Sequence, residues 1–128
     1  SLQYIERIIS KLKRNDEPVI VFAKGVHHNL DKLANCGADV IGLDWTMNLG
    51  EVRSAVGNKV ALQGNLDPTV LYGSEDKIKE EAIKVLSSFG NGSGHIFNLG
   101  HGILPDIDPA KAKFLVDTVK MESKVFHK

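Results

Sequence analysis

Cysteine is nearly absent. Cys36 is the single one in 128 residues, so no disulfide can close within the chain, which fits a reducing compartment such as the cytoplasm. It has no His-x-Cys or Cys-x-x-Cys neighbour, which argues against a zinc site. Net charge is missing as well. Sixteen Lys and Arg offset sixteen Asp and Glu, so nothing in the overall charge directs the chain to nucleic acid or to an anionic membrane. There is no apolar run of about 18 residues of the kind a transmembrane helix needs, and no basic-then-apolar start of the signal-peptide type. P-loop and G-x-G-x-x-G patterns are absent, as are His-Ser-Asp and Cys-His arrangements. Arginine is scarce: Arg7, Arg14 and Arg53 are all there are. The first residue is Ser1 rather than Met, which suits either missing upstream sequence or a removed tag.

What remains is ordinary globular composition, 42% hydrophobic and 25% charged, in a length suited to a single domain spanning 1–128. A domain of this size buries roughly two-thirds of the surface of its unfolded chain. The order of segments is regular. A helix is expected over Leu2 to Arg14, with Leu2, Ile5, Ile8, Ile9 and Leu12 at helical spacing. A strand follows from Val19 to Ala23, then a helix from His28 to Cys36 closed by Gly37. Strand two runs Asp39 to Asp44, helix two Leu49 to Val56, and strand three Lys59 to Gln63. Asn65 to Tyr72 reads as a loop with a helical turn after Pro68. Ser74 is a good N-cap for a helix ending at Gly90, and strand four is His95 to Leu99. Asp108 and Pro109 open the last helix, with Phe114, Leu115, Val119 and Val116 facing inward. The tail from Glu122 to Lys128 is expected to fray.

The strands are near-continuous apolar runs, the pattern of parallel strands in an α/β protein. Four β-α units in succession imply right-handed parallel crossovers. Two closures satisfy that pattern: an open doubly wound sheet, or half of an eight-stranded (β/α)8 barrel.

In either closure, chemistry gathers at the carboxyl ends of the strands. Those ends read Lys24-Gly25, Asp44-Trp45, Gln63-Gly64-Asn65 and Asn98-Gly100-His101. His101 is the leading candidate. Glycine on both sides removes Cβ crowding that would keep a ligand from the backbone, and a histidine can donate a charge-assisted hydrogen bond to a carboxylate. Asp44 reads as the cap of the next turn, with Trp45 packed under the rim. Gln63 and Asn65 read as amides that fix loops rather than bind ligand. Lys24 reads as a rim lysine, since nothing supports the lowered pKa of a Schiff-base lysine. His27 and His28, adjacent in a loop, make a poor metal pair.

Three ordered motifs carry a family resemblance: Val40-Ile41-Gly42-Leu43-Asp44-Trp45-Thr46, Leu62-Gln63-Gly64-Asn65-Leu66-Asp67-Pro68, and Asn98-Leu99-Gly100-His101-Gly102-Ile103-Leu104-Pro105. Together they resemble the C-terminal part of the uroporphyrinogen decarboxylase family over about Tyr4 to Lys120. The resemblance implies a (β/α)8 barrel, of which this chain supplies the last four strands. It implies a lyase of haem and porphyrin biosynthesis that removes four acetate carboxyls from uroporphyrinogen, without a cofactor. It also implies that His101 contacts the substrate's carboxylate side chains, and that the enzyme is a cytoplasmic homodimer. The family's arginine-bearing loop, its pyrrole-facing aspartate and its later tyrosine and hydroxyl residue have no counterpart here. The chain is therefore expected to be part of a longer protein, partnered by its missing N-terminal half and inactive alone. Competing readings are a related corrinoid- or methionine-synthase-type methyltransferase, which a lone Cys36 disfavours, and a non-enzymatic module that binds a small anion at Gly100-His101-Gly102.

Overall fold

The computed structural model describes residues 2–25 and 27–127. Four strands form one sheet: β1 (Ile20–Phe22), β2 (Val40–Gly42), β3 (Ala61–Leu66) and β4 (His95–Leu99). All neighbours are parallel and the strand order is β1-β2-β3-β4. Around them run α1 (Leu2–Lys11), α2 (Leu30–Ala34), α3 (Leu49–Val56), α4 (Glu75–Phe89) and α5 (Pro109–Glu122).

Strand order decides between the two closures. A doubly wound sheet reverses direction at a switch point, which sends helices to both faces. Here spatial order equals chain order, so successive crossovers of one hand stack on one side. Side-chain parity agrees. Val19, Val21, Ile41 and Leu62 pack with Leu33, Leu49, Val52 and Val56 of the helices in one core cluster. Phe97 and Leu99 join Ile78, Ala82 and Leu115 in a second. The alternate positions point the other way. There Ile20, Phe22 and Ile96 remain 45%, 49% and 41% exposed. One face of the sheet is covered by helices and the other, apart from the buried Val40, is largely bare, as on the inner wall of a (β/α)8 barrel. The open-sheet alternative is set aside.

The helix ends follow local chemistry. The Ser74 hydroxyl accepts from Lys77 N at 3.2 Å to cap α4, and Gly90, at φ +81°, ends it. Asp108 Oδ1 accepts from Ala110 N at 2.8 Å ahead of Pro109 to start α5.

Several expectations need correction. β3 does not stop at Gln63. Gly64, Asn65 and Leu66 continue the ladder opposite Phe97, Asn98 and Leu99, so pairing overrides the turn character of Gly-Asn. α1 ends at Lys11; Ile8 and Leu12 face outward while Leu2, Ile5 and Ile9 pack on the core. Beyond that helix end, Arg14 reaches Asp39 Oδ2 at 2.6 Å. The predicted helix from His28 to Cys36 is shorter, a 3-10 turn at His27–Asn29 leading into Leu30–Ala34. Finally, the tail does not fray across its described residues. Ser123–Val125 forms a 3-10 turn, and Gly92 N donates to Phe126 O at 2.9 Å. In α5 Leu115 is buried but Val116 is exposed.

Candidate active-site rim

The carboxyl ends of the four strands converge, and the two middle connections are locked together there. Asp44 follows β2 and is only 2% exposed. Its carboxylate accepts from Thr46 N at 2.9 Å and from the Thr46 hydroxyl, and Gly25 N lies 3.4 Å away. This is the turn-capping role expected for it. Asn65 is buried beside it, and Nδ2 donates to Asp44 O at 3.0 Å and to Met47 O at 2.6 Å. A buried amide so used orders the β2–α3 loop and has little left for a ligand. Trp45 differs from expectation: its backbone is clamped against Gly100, but its side chain is 47% exposed rather than tucked beneath the rim.

Gly100 and Gly102 serve different ends. A Cβ on Gly100 would lie 2.3 Å from Trp45 N and 2.6 Å from Trp45 Cα. The bare glycine lets the end of β4 meet the loop after β2, and Gly100 N donates to Leu66 O at 2.7 Å. The missing Cβ makes room for backbone, not for a ligand. At Gly102 a Cβ would meet nothing within 4 Å. Between them His101 emerges exposed, with no hydrogen-bond partner among the described residues.

His101 borders a cavity of about 500 Å³ that opens on the bare face of the sheet. Its wall includes Phe22, Gln63, Asn98 and Ile103. Gly42 lies beneath Phe22, whose ring carbon would be 3.0 Å from a Cβ there. Among the described residues, no lysine, arginine or carboxylate lines the cavity. It can hold an apolar surface and offer neutral or histidine donors to an anion, but it cannot balance many negative charges. Lys24, in the turn after β1, is exposed and not in the wall. The side chain of His27 lies outside the described residues, and His28 is exposed. Among the described residues no group of three His, Cys, Asp or Glu is placed to hold a metal ion.

The loop carrying His101 is tethered further along. The Tyr72 hydroxyl donates to Asp106 Oδ1 at 2.5 Å, joining the β3–α4 and β4–α5 connections. That bond to a carboxylate, with some desolvation of the hydroxyl, raises the phenol above its usual 10.0. Arg7, Arg14 and Arg53 all lie away from the cavity. Arg53 binds the carbonyls of Phe89 and Asn91, the latter at 2.9 Å, with its guanidinium 4.0 Å over the Phe89 ring. Sequence reasoning missed Phe22 as a wall residue; its place two residues from Ile20, opposite the helix-packed Val21, was the available signal.

The family model described as Uroporphyrinogen decarboxylase (URO-D) matches residues 1–121. The chain belongs to the uroporphyrinogen decarboxylase family. A uroporphyrinogen decarboxylase of Neisseria meningitidis serogroup C is 53% identical over 131 residues, covering 99% of this chain and 37% of that protein. One from Pseudomonas syringae pv. tomato is 49% identical over the same shares. The chain thus spans a little over a third of the curated relatives it matches. A methyltransferase from Methanosarcina mazei superposes with a TM-score of 0.78 at 22% identity, over 94% of this chain and 35% of its own. That likeness concerns fold alone, and agrees with a barrel segment in the uroporphyrinogen decarboxylase family.

Proposed function

We propose that this chain is the C-terminal half-barrel of a uroporphyrinogen decarboxylase and supplies one side of its substrate cleft. The observation that carries the reading is the position of His101, exposed on the cavity at the carboxyl end of β4 within the family's Asn-Leu-Gly-His-Gly string. In the complete protein the reaction converts uroporphyrinogen to coproporphyrinogen. Protonation of a pyrrole carbon beside an acetate side chain turns the ring into an electron sink. The bond to the carboxylate breaks, its electrons enter the ring and carbon dioxide leaves. The exocyclic methylene takes a proton to become methyl, and the ring returns the proton it accepted. The substrate itself plays the part that a cofactor plays in other decarboxylases.

His101 donates to a substrate carboxylate. The positive charge for the other carboxylates, the aspartate facing the pyrrole nitrogens and the proton donor come from segments outside this chain. The same reading makes the enzyme a cytoplasmic homodimer joined at the barrel mouth. Trp45, Tyr72, Ile103 and Leu104, all exposed on connections at that rim, supply apolar surface for such a contact. His101→Asn in the full-length enzyme tests the reading. Losing one charged hydrogen bond costs about 1–3 kcal/mol, so kcat/KM for uroporphyrinogen should fall roughly five- to 150-fold. Unchanged kinetics would refute the role.

A further inference from the structure

The two amides expected to behave alike at the end of strand three do not. Asn65 spends its amide on Asp44 and Met47 carbonyls. Gln63 makes no side-chain hydrogen bond among the described residues, although it is half-buried and forms part of the cavity wall. Its amide is not buried away from solvent, and a carboxamide without a protein partner on a cavity wall is a ready ligand contact.

Its neighbours reinforce this. On β2 the residue opposite Gln63 is Gly42, which has no side chain to engage it. On the β4 side its partner is Ile96, also without a polar group. The next inward position on β4 is Asn98, whose Oδ1 accepts from Leu99 N at 2.9 Å and whose amide N–H groups are unused. Gln63, Asn98 and His101 therefore offer N–H donors to one cavity, and no carboxylate among the described residues lines it. Its remaining wall, including Phe22 and Ile103, is apolar and suits a flat ring edge.

We infer that Gln63 is a substrate-binding residue, donating its amide N–H to a tetrapyrrole carboxylate beside the one held by His101, with Asn98 supporting the same group. The inference rests on the functional reading above. It assigns to β3 a contact that discriminates by hydrogen bonding rather than by charge. A site built to pair a polar substrate group penalises its loss strongly.

The test is steady-state kinetics on the full-length enzyme with Gln63→Leu and Gln63→Glu. Leucine removes the donor; the near-isosteric glutamate places a negative charge against the substrate carboxylate. KM for uroporphyrinogen should rise on the order of tenfold in Gln63→Leu and further in Gln63→Glu, with kcat within about twofold of wild type. The melting temperature should be unchanged in Gln63→Glu, which a merely structural glutamine would not allow together with the KM shift. If Gln63→Leu does not fold, Gln63→Glu carries the test alone. Wild-type KM in Gln63→Glu, or a fall in kcat with KM unchanged, would overturn the inference while leaving the functional reading intact. A folded wild-type enzyme that does not turn over uroporphyrinogen would instead overturn that reading, and this inference with it.

Discussion

Replacing Gly100 by alanine should damage the protein out of proportion to one added methyl group. The new Cβ would sit 2.3, 2.6 and 2.7 Å from the N, Cα and Cβ atoms of Trp45. Ordinary van der Waals contact begins near 3.4 Å, so the end of β4 and the loop after β2 must part by about 1 Å. Two of the three atoms are backbone and cannot rotate away. That loop is also held from the other side by Asn65 and by the capped carboxylate of Asp44, so it has little slack. Overpacking of this kind typically costs about 1–3 kcal/mol; with backbone on both sides, about 3 kcal/mol is the expected figure. Gly102→Ala is the matched control, because its Cβ enters open space, and its stability should stay within about 0.5 kcal/mol of wild type, as for other unconstrained sites. Urea midpoints of the two full-length variants, with kcat/KM measured alongside, make the comparison. Because His101 follows Gly100 directly, the Gly100 variant should lose activity as well as stability. Equal stability of the two alanine variants would refute the claim that Gly100 exists for close backbone packing.

Three further outcomes follow from particular contacts. His95 stacks on Phe89 at 4.7 Å and its Nε2–H donates to Gly64 O at 2.9 Å; burial pushes its pKa below the usual 6.5 against that hydrogen bond. A base depressed in the folded state stabilises above its unfolded pKa and loses that contribution as pH falls through the folded value. Urea stability should therefore drop more steeply below about pH 6.5 in wild type than in His95→Leu; parallel pH profiles would contradict it. Asn65→Ala strands two loop carbonyls and should cost about 1–3 kcal/mol in a denaturation experiment, with wild-type stability the contrary result. The 128-residue chain alone should show no decarboxylation and should associate, because Ile20, Phe22 and Ile96 lie exposed on its bare face and β1 and β4 are open edges. Sedimentation of a stable 14.0 kDa monomer would argue against the half-barrel.

Much of the architecture was legible in the residues. Ser74, Gly90, Asp108 and Pro109 marked helix ends because caps are local chemistry, read within four residues. The run His95 to Leu99 announced β4 for the same reason, being bounded by glycine turns. Gly64 and Asn65 misled because turn propensity is local whereas the ladder to Phe97 and Asn98 is not. The tail misled similarly, since its Phe126 is held by Gly92, far from it in sequence. Barrel against open sheet was beyond periodicity, because both closures use the same β-α pattern; strand order and the bare face separate them. At the rim, residue type could not divide Gln63 from Asn65. Only the distances to Asp44 and Met47 show which amide is already spent. The glycines beside His101 stood out in the residues, but the purpose of Gly100 needed the position of Trp45.

The most direct measurement is uroporphyrinogen turnover by the full-length protein in the absence of any added cofactor. The account predicts coproporphyrinogen as product, four carbon dioxide molecules released per tetrapyrrole, and a large loss of kcat/KM in His101→Asn. A folded full-length protein that leaves uroporphyrinogen unchanged would contradict it.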